Sequence, residues 1–224
     1  MALVTEVVAP YRGSRRRDVW VDGALWRTTS SDVVRAVGVR KGLERSDESL
    51  TGAIDEEEPL QARARAFRLL AYRERSSAEL RDRLVSDGYP ASVALALVGD
   101  LQASGLVDDA RYTEVAARTL VDTRRFGRER ARRELIAKGV DEDSAREALD
   151  AALTPEAEEE RALFEARSLA ARPAASFEKI ARRLTRKGYS ASLAVAATRR
   201  ALDEAADVCD GSLASDRDGP ADLQ

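Results

Sequence analysis

Along most of the chain apolar residues recur every three or four positions, the period of an amphipathic helix, and one such pattern is written three times. ELRDRLVSDGY places Leu80 and Leu84 on one face and ends at Gly88; ARRELIAKGV repeats this with Ala131, Leu135 and Gly139, and IARRLTRKGY with Ile180, Leu184 and Gly188. A glycine four residues after the last apolar position supplies the left-handed residue that ends a helix. Before the first copy, Ser76 and Glu79 have capping-box spacing, in which each side chain satisfies a backbone donor of the other residue. After each glycine comes a polar break and a second amphipathic helix, marked by Val93, Leu97 and Leu101, by Ala145 and Leu149, and by Leu193 and Ala197. A third helix precedes each copy, with Phe67, Leu70 and Ala71, then Tyr112, Val115 and Leu120, then Leu163, Ala166 and Leu169. Three helices per unit of about fifty residues predict a mainly α fold: a tandem array of three three-helix, helix-turn-helix-like repeats, elongated and curved.

Only residues 1–30 carry a strand-like pattern. Asp22-Gly23 between two apolar runs signals a two-residue type I′ hairpin. The turn predicts Val21 opposite Ala24, Trp20 opposite Leu25 and Val19 opposite Trp26. Because an isolated hairpin is marginal in water, it is expected to dock, with the helix of SSDVVRAVGV, capped by Ser30 or Ser31, as the nearest support. The expected organisation is a hairpin and helix over 1–45, an acidic linker over 46–59, repeats over 60–107, 108–153 and 154–205, and a disordered tail over 206–224. The acidic run IDEEEP reads as a solvated stretch preceding a helix that begins near Leu60; adjacent carboxylates of this kind cannot converge on one metal ion.

Composition narrows the chemistry. The 224 residues include no histidine and a single cysteine, Cys209, which removes histidine acid–base catalysis, Cys/His zinc sites and a disulfide framework. No phosphate loop, GxGxxG turn or GxSxG elbow is present, so neither an enzyme nor a cofactor or metal is expected. No apolar run is long enough to span a bilayer and no signal-peptide pattern opens the chain. A cytoplasmic monomer without membrane contact is the expectation. Net charge is only −3, so any affinity for polyanions rests on local patterning. Two runs qualify: TRRFGRERARRELIAKG and EKIARRLTRKG, the latter carrying Lys179, Arg182, Arg183, Arg186 and Lys187. They are readable as solvated helix faces with cations near the C-terminus. They are also readable as a stripe for an acidic groove or a polyanion, a reading that gains from their falling on the same helix of successive units. A DNA-reading helix-turn-helix stays open, although no Asn/Gln/Arg cluster stands at a helix start to read bases.

The succession LLAYRERSSAELRDRLVSDGY, LQASGLVDDARY and FGRERARRELIAKGV resembles the RecX family of bacterial regulators of the RecA recombinase. The likeness runs through Leu70, Arg73, Ser76, Glu79, Leu80, Leu84 and Gly88, then Leu101, Gly105, Leu106, Asp108, Asp109, Arg111 and Tyr112. It resumes at Phe126, Gly127, Arg130, Glu134, Leu135, Lys138 and Gly139, and it covers roughly residues 15–205. It implies a non-catalytic role in DNA repair, homologous recombination and the SOS response. The implied partner is the RecA filament, bound in its groove, with its ATPase, strand-exchange and repressor-cleavage activities restrained. Contact with single- or double-stranded DNA through the basic face is a further expectation. The expected charged contact set is Arg73, Arg75, Arg124, Arg125, Arg128, Arg130, Arg132 and Arg133. Leu80, Leu84, Gly88, Gly127, Leu135, Gly139, Leu184 and Gly188 are expected to be structural. Asp108, Asp109 and Arg111 are expected to cap and lock the junction between the first two repeats, and Tyr112 to be structural.

Overall fold

The computed structural model describes residues 1–215, with side chains through Asp207. The chain forms two compact units, Met1–Tyr112 and a second beginning at Thr113.

In the first unit, strands β1 (Ala2–Val8), β2 (Arg16–Val21), β3 (Ala24–Ser30) and β4 (Glu44–Arg45) form an antiparallel sheet of order β3-β2-β1-β4. Asp22 and Gly23 turn the β2–β3 hairpin with φ of 49° and 82°, both left-handed, as a type I′ turn requires. Val21 faces Ala24 and Trp20 faces Leu25 as the turn dictates, but the next pair is Val19 with Arg27, not Trp26. A bulge absorbs Trp26. The shift of one residue brings Arg27 to the inner face, where its guanidinium reaches Glu58 at 2.8 Å.

Helix α1 (Ser31–Val37) starts at Ser30, whose hydroxyl accepts from the Val33 N–H. Helix α2 (Asp47–Tyr72) overturns the linker reading: it begins at Ser46, which caps it, and runs through Pro59 without interruption. A helical stripe of Leu50, Ile54, Ala62, Ala66 and Leu69 is buried on both sides of the proline, and this packing outweighs the one lost backbone donor. Glu58, expected in solvent, is 2% exposed and accepts from Arg27 and from the Thr29 hydroxyl at 2.8 Å each. Burial pushes its carboxyl above the usual range against the pull of those two donors. The α2 stripe also lies one position away from the expected Phe67, Leu70 and Ala71; Phe67 is 40% exposed.

Helices α3 (Ser77–Ser86) and α4 (Ala91–Ala103) pack on α2 to complete the first three-helix repeat. At the end of α3 the Gly88 N–H donates to Val85 O and the Tyr89 N–H to Leu84 O. Gly139 with Val140 and Gly188 with Tyr189 repeat these two bonds at the equivalent positions, and all three glycines have positive φ. The pattern is the double hydrogen bond of a left-handed helix stop. At Gly88 the backbone also lies against the end of β3, where an added Cβ would sit 2.4 Å from Thr29 O.

A buried ionic cluster fastens the same junction. Asp32 receives Arg15 at 2.6 Å and Arg68 at 2.8 Å, with the Tyr89 hydroxyl at 3.5 Å; Asp87 receives Arg65 at 2.7 Å. Burial works to raise the Asp32 carboxyl, but Arg15 and Arg68 prevail and hold it below the usual range.

Helix α5 (Asp109–Arg118) is continued by a π-helical turn over Thr119–Thr123. Val115, expected inside, is 50% exposed. Helices α6 (Arg128–Ile136) and α7 (Glu142–Ala152) follow and bury Ala131, Leu135, Ala145 and Leu149. Helices α8 (Pro155–Ala170), α9 (Phe177–Lys187) and α10 (Ala191–Ser215) form the last bundle around Ala162, Ala166, Ile180, Leu184, Ala194 and Ala197. Helix α10 occupies residues 206–215, where a disordered tail was expected. The rest of that expected tail, 216–224, and the Cys209 side chain lie outside the described residues.

Three substitutions test these contacts. Gly88→Ala should cost about 2 kcal/mol or more, since alanine is strained at that φ and the site is filled by backbone. Gly99→Ala, in open space within α4, should gain about 1 kcal/mol; urea denaturation of both variants reads the difference. Asp32→Asn should cost about 2 kcal/mol at pH 7, discounted because Arg68 is half exposed. A depressed carboxyl contributes above its unfolded value of about 3.9 and loses that contribution as pH falls through the folded value. The gap between wild type and Asp32→Asn should therefore close in acid.

Candidate functional site

The two basic runs lie on α6 and α9 of the second unit, and the structure joins these helices end to end. Helix α6 has no side-chain cap at Gly127. Its first donors are satisfied instead by the carbonyls that end α9: Gly127 N–H to Lys187 O at 2.9 Å and Glu129 N–H to Gly188 O at 3.1 Å. Between them the Arg128 N–H donates to a carboxylate oxygen of Glu158 at 2.8 Å. The orphan donors of one helix thus meet the orphan acceptors of the other, and the partial charges of the two ends are opposite. Only glycine permits this approach. A Cβ on Gly127 would sit 2.5 Å from the Gly188 and Tyr189 backbone, and one on Gly188 would sit 2.3 Å from the Arg130 Cβ.

Around this junction the arginines divide by what already holds them. Arg128 pairs with Asp150 and Glu158 and donates to Leu153 O, which makes it a clamp between α6 and the start of α8. Arg132 pairs with Glu142 at 2.5 Å and Glu129 at 3.4 Å. Arg130 stacks on Phe126, 4.0 Å from the ring centre, and approaches Arg186 O at 3.4 Å and Glu134 at 3.6 Å. Arg125 takes a left-handed φ of 52° and lies over Phe164 at 5.3 Å. Arg133 is exposed and, among the described residues, donates only to Glu129 O. Arg124 is exposed and has no side-chain partner among the described residues, and the same is true of Arg182, Arg183 and Arg186 on α9. Lys187 is held by Glu165 at 2.7 Å and Lys179 by Ala174 O at 3.2 Å.

The first-unit members of the expected set are committed to the fold. Arg73 and Arg75 share the Glu79 carboxylate, Arg75 at 2.8 Å, and hydrogen bonding to Glu79 raises the Arg73 pKa further. Arg75 is 12% exposed and also reaches Leu69 O. Ser76 caps α3 by accepting from the Glu79 N–H. Asp108 accepts from the Arg111 N–H at the start of α5, Asp109 from the Ser77 N–H at 2.7 Å, and Arg111 pairs with Glu74 at 3.2 Å. These bonds tie the start of α5 to the start of α3, and Tyr112 is buried beside them.

Several residues of consequence escape sequence reading. Asp32, Asp87 and Glu58 are single carboxylates without a motif, and only folding brings their arginines to them. In the last bundle Glu204 is held down at about 2 by hydrogen bonds from Arg167 and Arg200 on the surface. Among the described residues no cluster of His, Cys, Asp or Glu could hold a metal ion, and no helix is long and apolar enough to cross a membrane.

Family models described as the first and second three-helix domains of RecX match residues 62–101 and 108–149. Regulatory protein RecX of Thermobifida fusca (strain YX) is 41% identical over 157 residues, covering 65% of this chain and 82% of that protein. The solved RecX structure from Lactobacillus salivarius has a TM-score of 0.58 at 25% identity, covering 66% of this chain and 98% of that one. A second solved structure of regulatory protein RecX has a TM-score of 0.56 at 24% identity over 86% of this chain and 97% of its own.

The division of the arginines has a direct consequence. Arg128→Ala should destabilise the protein by about 2 kcal/mol, by leaving Glu158 without its cation. Arg133→Ala should change stability by less than about 0.5 kcal/mol. Thermal melts of the two variants check the contrast.

Proposed function

The chain belongs to the RecX family, and from that premise we propose that it modulates the RecA recombinase, mainly as an inhibitor, by binding the RecA–DNA filament. The observation that carries the reading is the α9–α6 junction. It brings together the ends of two helices that carry the exposed guanidiniums of Arg182, Arg183 and Arg186 on α9 and Arg133 on α6, with Arg124 in the turn before α6. An acidic groove on a protein polymer is the complement of such a stripe. Each three-helix repeat would meet the filament weakly, and their covalent linkage would multiply the contacts. On this reading Arg75 and Arg128 act through the fold, while Arg124 and Arg133 touch the partner.

Direct binding to DNA is the second reading, favoured by the same unpaired guanidiniums, which would serve a phosphate backbone equally well. The two differ in stoichiometry and salt dependence. With host RecA on single-stranded DNA, the protein should inhibit ATP hydrolysis at concentrations well below that of RecA. Arg124→Glu with Arg133→Glu should raise the half-inhibitory concentration about tenfold or more without a matching loss of thermal stability. Inhibition only when the protein saturates the DNA, with steep salt dependence, would replace the filament reading with the DNA reading.

A further inference from the structure

In the last bundle an open groove of about 620 Å³ runs between α8 and α10. Leu163 and Leu193, both partly buried, and Ala197 form its apolar part. On its α8 side stand Glu156, Glu159 and Glu160, all exposed and without a side-chain partner among the described residues. The other charges of the groove are already answered: Glu158 by Arg128, and Arg200 by Glu204 at 3.1 Å. Three carboxylates therefore stand unneutralised beside an apolar surface.

The helix start accounts for only one of them. Glu156 lies in the first turn of α8, where the free N–H groups favour a negative charge, an effect that fades beyond that turn. Glu159 and Glu160 lie past it, and Glu156 with Glu160 makes a like-charge i, i+4 pair, a mildly destabilising spacing. Helix α9 carries the converse. Arg182, Arg183 and Arg186 are exposed and unpaired among the described residues, and Arg182 with Arg186 is again a like-charge i, i+4 pair. All three lie on the side of α9 away from the buried Ile180 and Leu184. Glu178, the one acidic residue in the sequence of α9, is two turns from Arg186.

The two triads are one pattern read in opposite directions: Glu156 with the residues three and four positions after it, Arg186 with the residues three and four positions before it. Set antiparallel, α8 of one copy and α9 of another place Glu156 opposite Arg186 and, one turn along, Glu159 and Glu160 opposite Arg182 and Arg183. That orientation also sets the start of one helix beside the end of the other, where their partial charges attract. The aliphatic stems of the arginines can cover Leu163 and Leu193 while the guanidiniums reach the carboxylates.

We propose that the groove between α8 and α10 docks α9 of a second copy of this chain, antiparallel to α8, through these three acidic and three basic residues. A second copy is favoured over any other basic partner because this chain itself carries the matching spacing. The contact stands without the RecA reading. Where that reading holds, the same guanidiniums serve either a second copy or the filament, and self-association withholds them from the filament.

Sedimentation equilibrium of the full chain, without RecA or DNA, tests this. At low ionic strength the average mass of the wild type should rise with concentration, and it should return to that of the monomer at about 1 M salt, where screening sets in within about 3 Å. Glu159→Lys with Glu160→Lys, and separately Arg182→Glu with Arg183→Glu, should each weaken self-association about tenfold or more. An equimolar mixture of the two variants should recover the wild-type association to within about threefold, since each reversed surface then meets its complement. These positions are exposed, so melting temperatures should hold; if a reversal lowers one, the glutamine pair at the same positions replaces it in the weakening test. A wild type that stays monomeric, variants that associate like the wild type, or a mixture that fails to recover overturns the proposal. A monomeric chain that still binds a labelled hexa-arginine peptide, and loses it in Glu159→Lys with Glu160→Lys, would give the groove to a different basic partner. Since RecA is absent, failure here leaves the filament reading untouched, and failure of that reading leaves this one standing.

Discussion

A helix that ends in a left-handed glycine presents bare backbone at its tip, and two docking contacts among the described residues are built on that fact. Gly88 lies on the end of β3 with no room for a Cβ, and Gly188 lies on the start of α6 at Gly127 and Arg130. In the second case the contact does the work of a cap: the carbonyls that α9 leaves unpaired are the acceptors that α6 needs. A larger residue at Gly127 or Gly188 would separate the helix ends and leave both sets of groups without partners. The glycines thus act as stops within each repeat and as sockets between elements, and the second role explains why Gly127, at a helix start, is as constrained as Gly188.

Charge is divided along the same lines. The protein is rich in arginine and carboxylate in nearly equal amount, and most arginines are answered within the fold. Asp32 and Asp87 each gather more than one guanidinium at the sheet–helix junction, and Glu58 holds the hairpin to α2 through Arg27 and Thr29. These groups are buried, so loss of one partner leaves a charge in a poor solvent; their consequence is a fixed junction more than a large gain in stability. Among the described residues, Arg182, Arg183 and Arg186 on α9 and Arg124 in the turn before α6 have no side-chain partner, and Arg133 on α6 meets a backbone carbonyl. There the surface keeps its positive character in a chain whose net charge is slightly negative.

The two post-glycine tyrosines show how a repeat is adapted to its place. Tyr89 meets a carboxylate from the N-terminal module, whereas the Tyr189 hydroxyl is buried without a hydrogen-bond partner among the described residues. In the second repeat Val140 stands at the equivalent position and closes it with an apolar side chain, 8% exposed. One local frame therefore supports an internal bond, a hydrophobic plug or a buried hydroxyl without a partner, according to a single residue and what is docked above it.

By itself the sequence determined the repeated unit. The spacing of Leu80, Leu84 and Gly88, with its two copies, specified helix, buried face and stop, because helix periodicity and the left-handed preference of glycine are local properties. The Asp22-Gly23 turn was legible for the same reason. The tertiary structure decided the rest. The bulge at Trp26 and the continuous α2 through Pro59 depend on packing between segments far apart in the chain. So does the role of each arginine: Arg75, Arg128 and Arg133 look alike in sequence, and only the placement of Glu79, Glu158 and Asp150 separates clamps from the cation left exposed. A side chain's charge is local, but its partner is not, and it is the partner that determines whether the charge holds the fold together or faces outward.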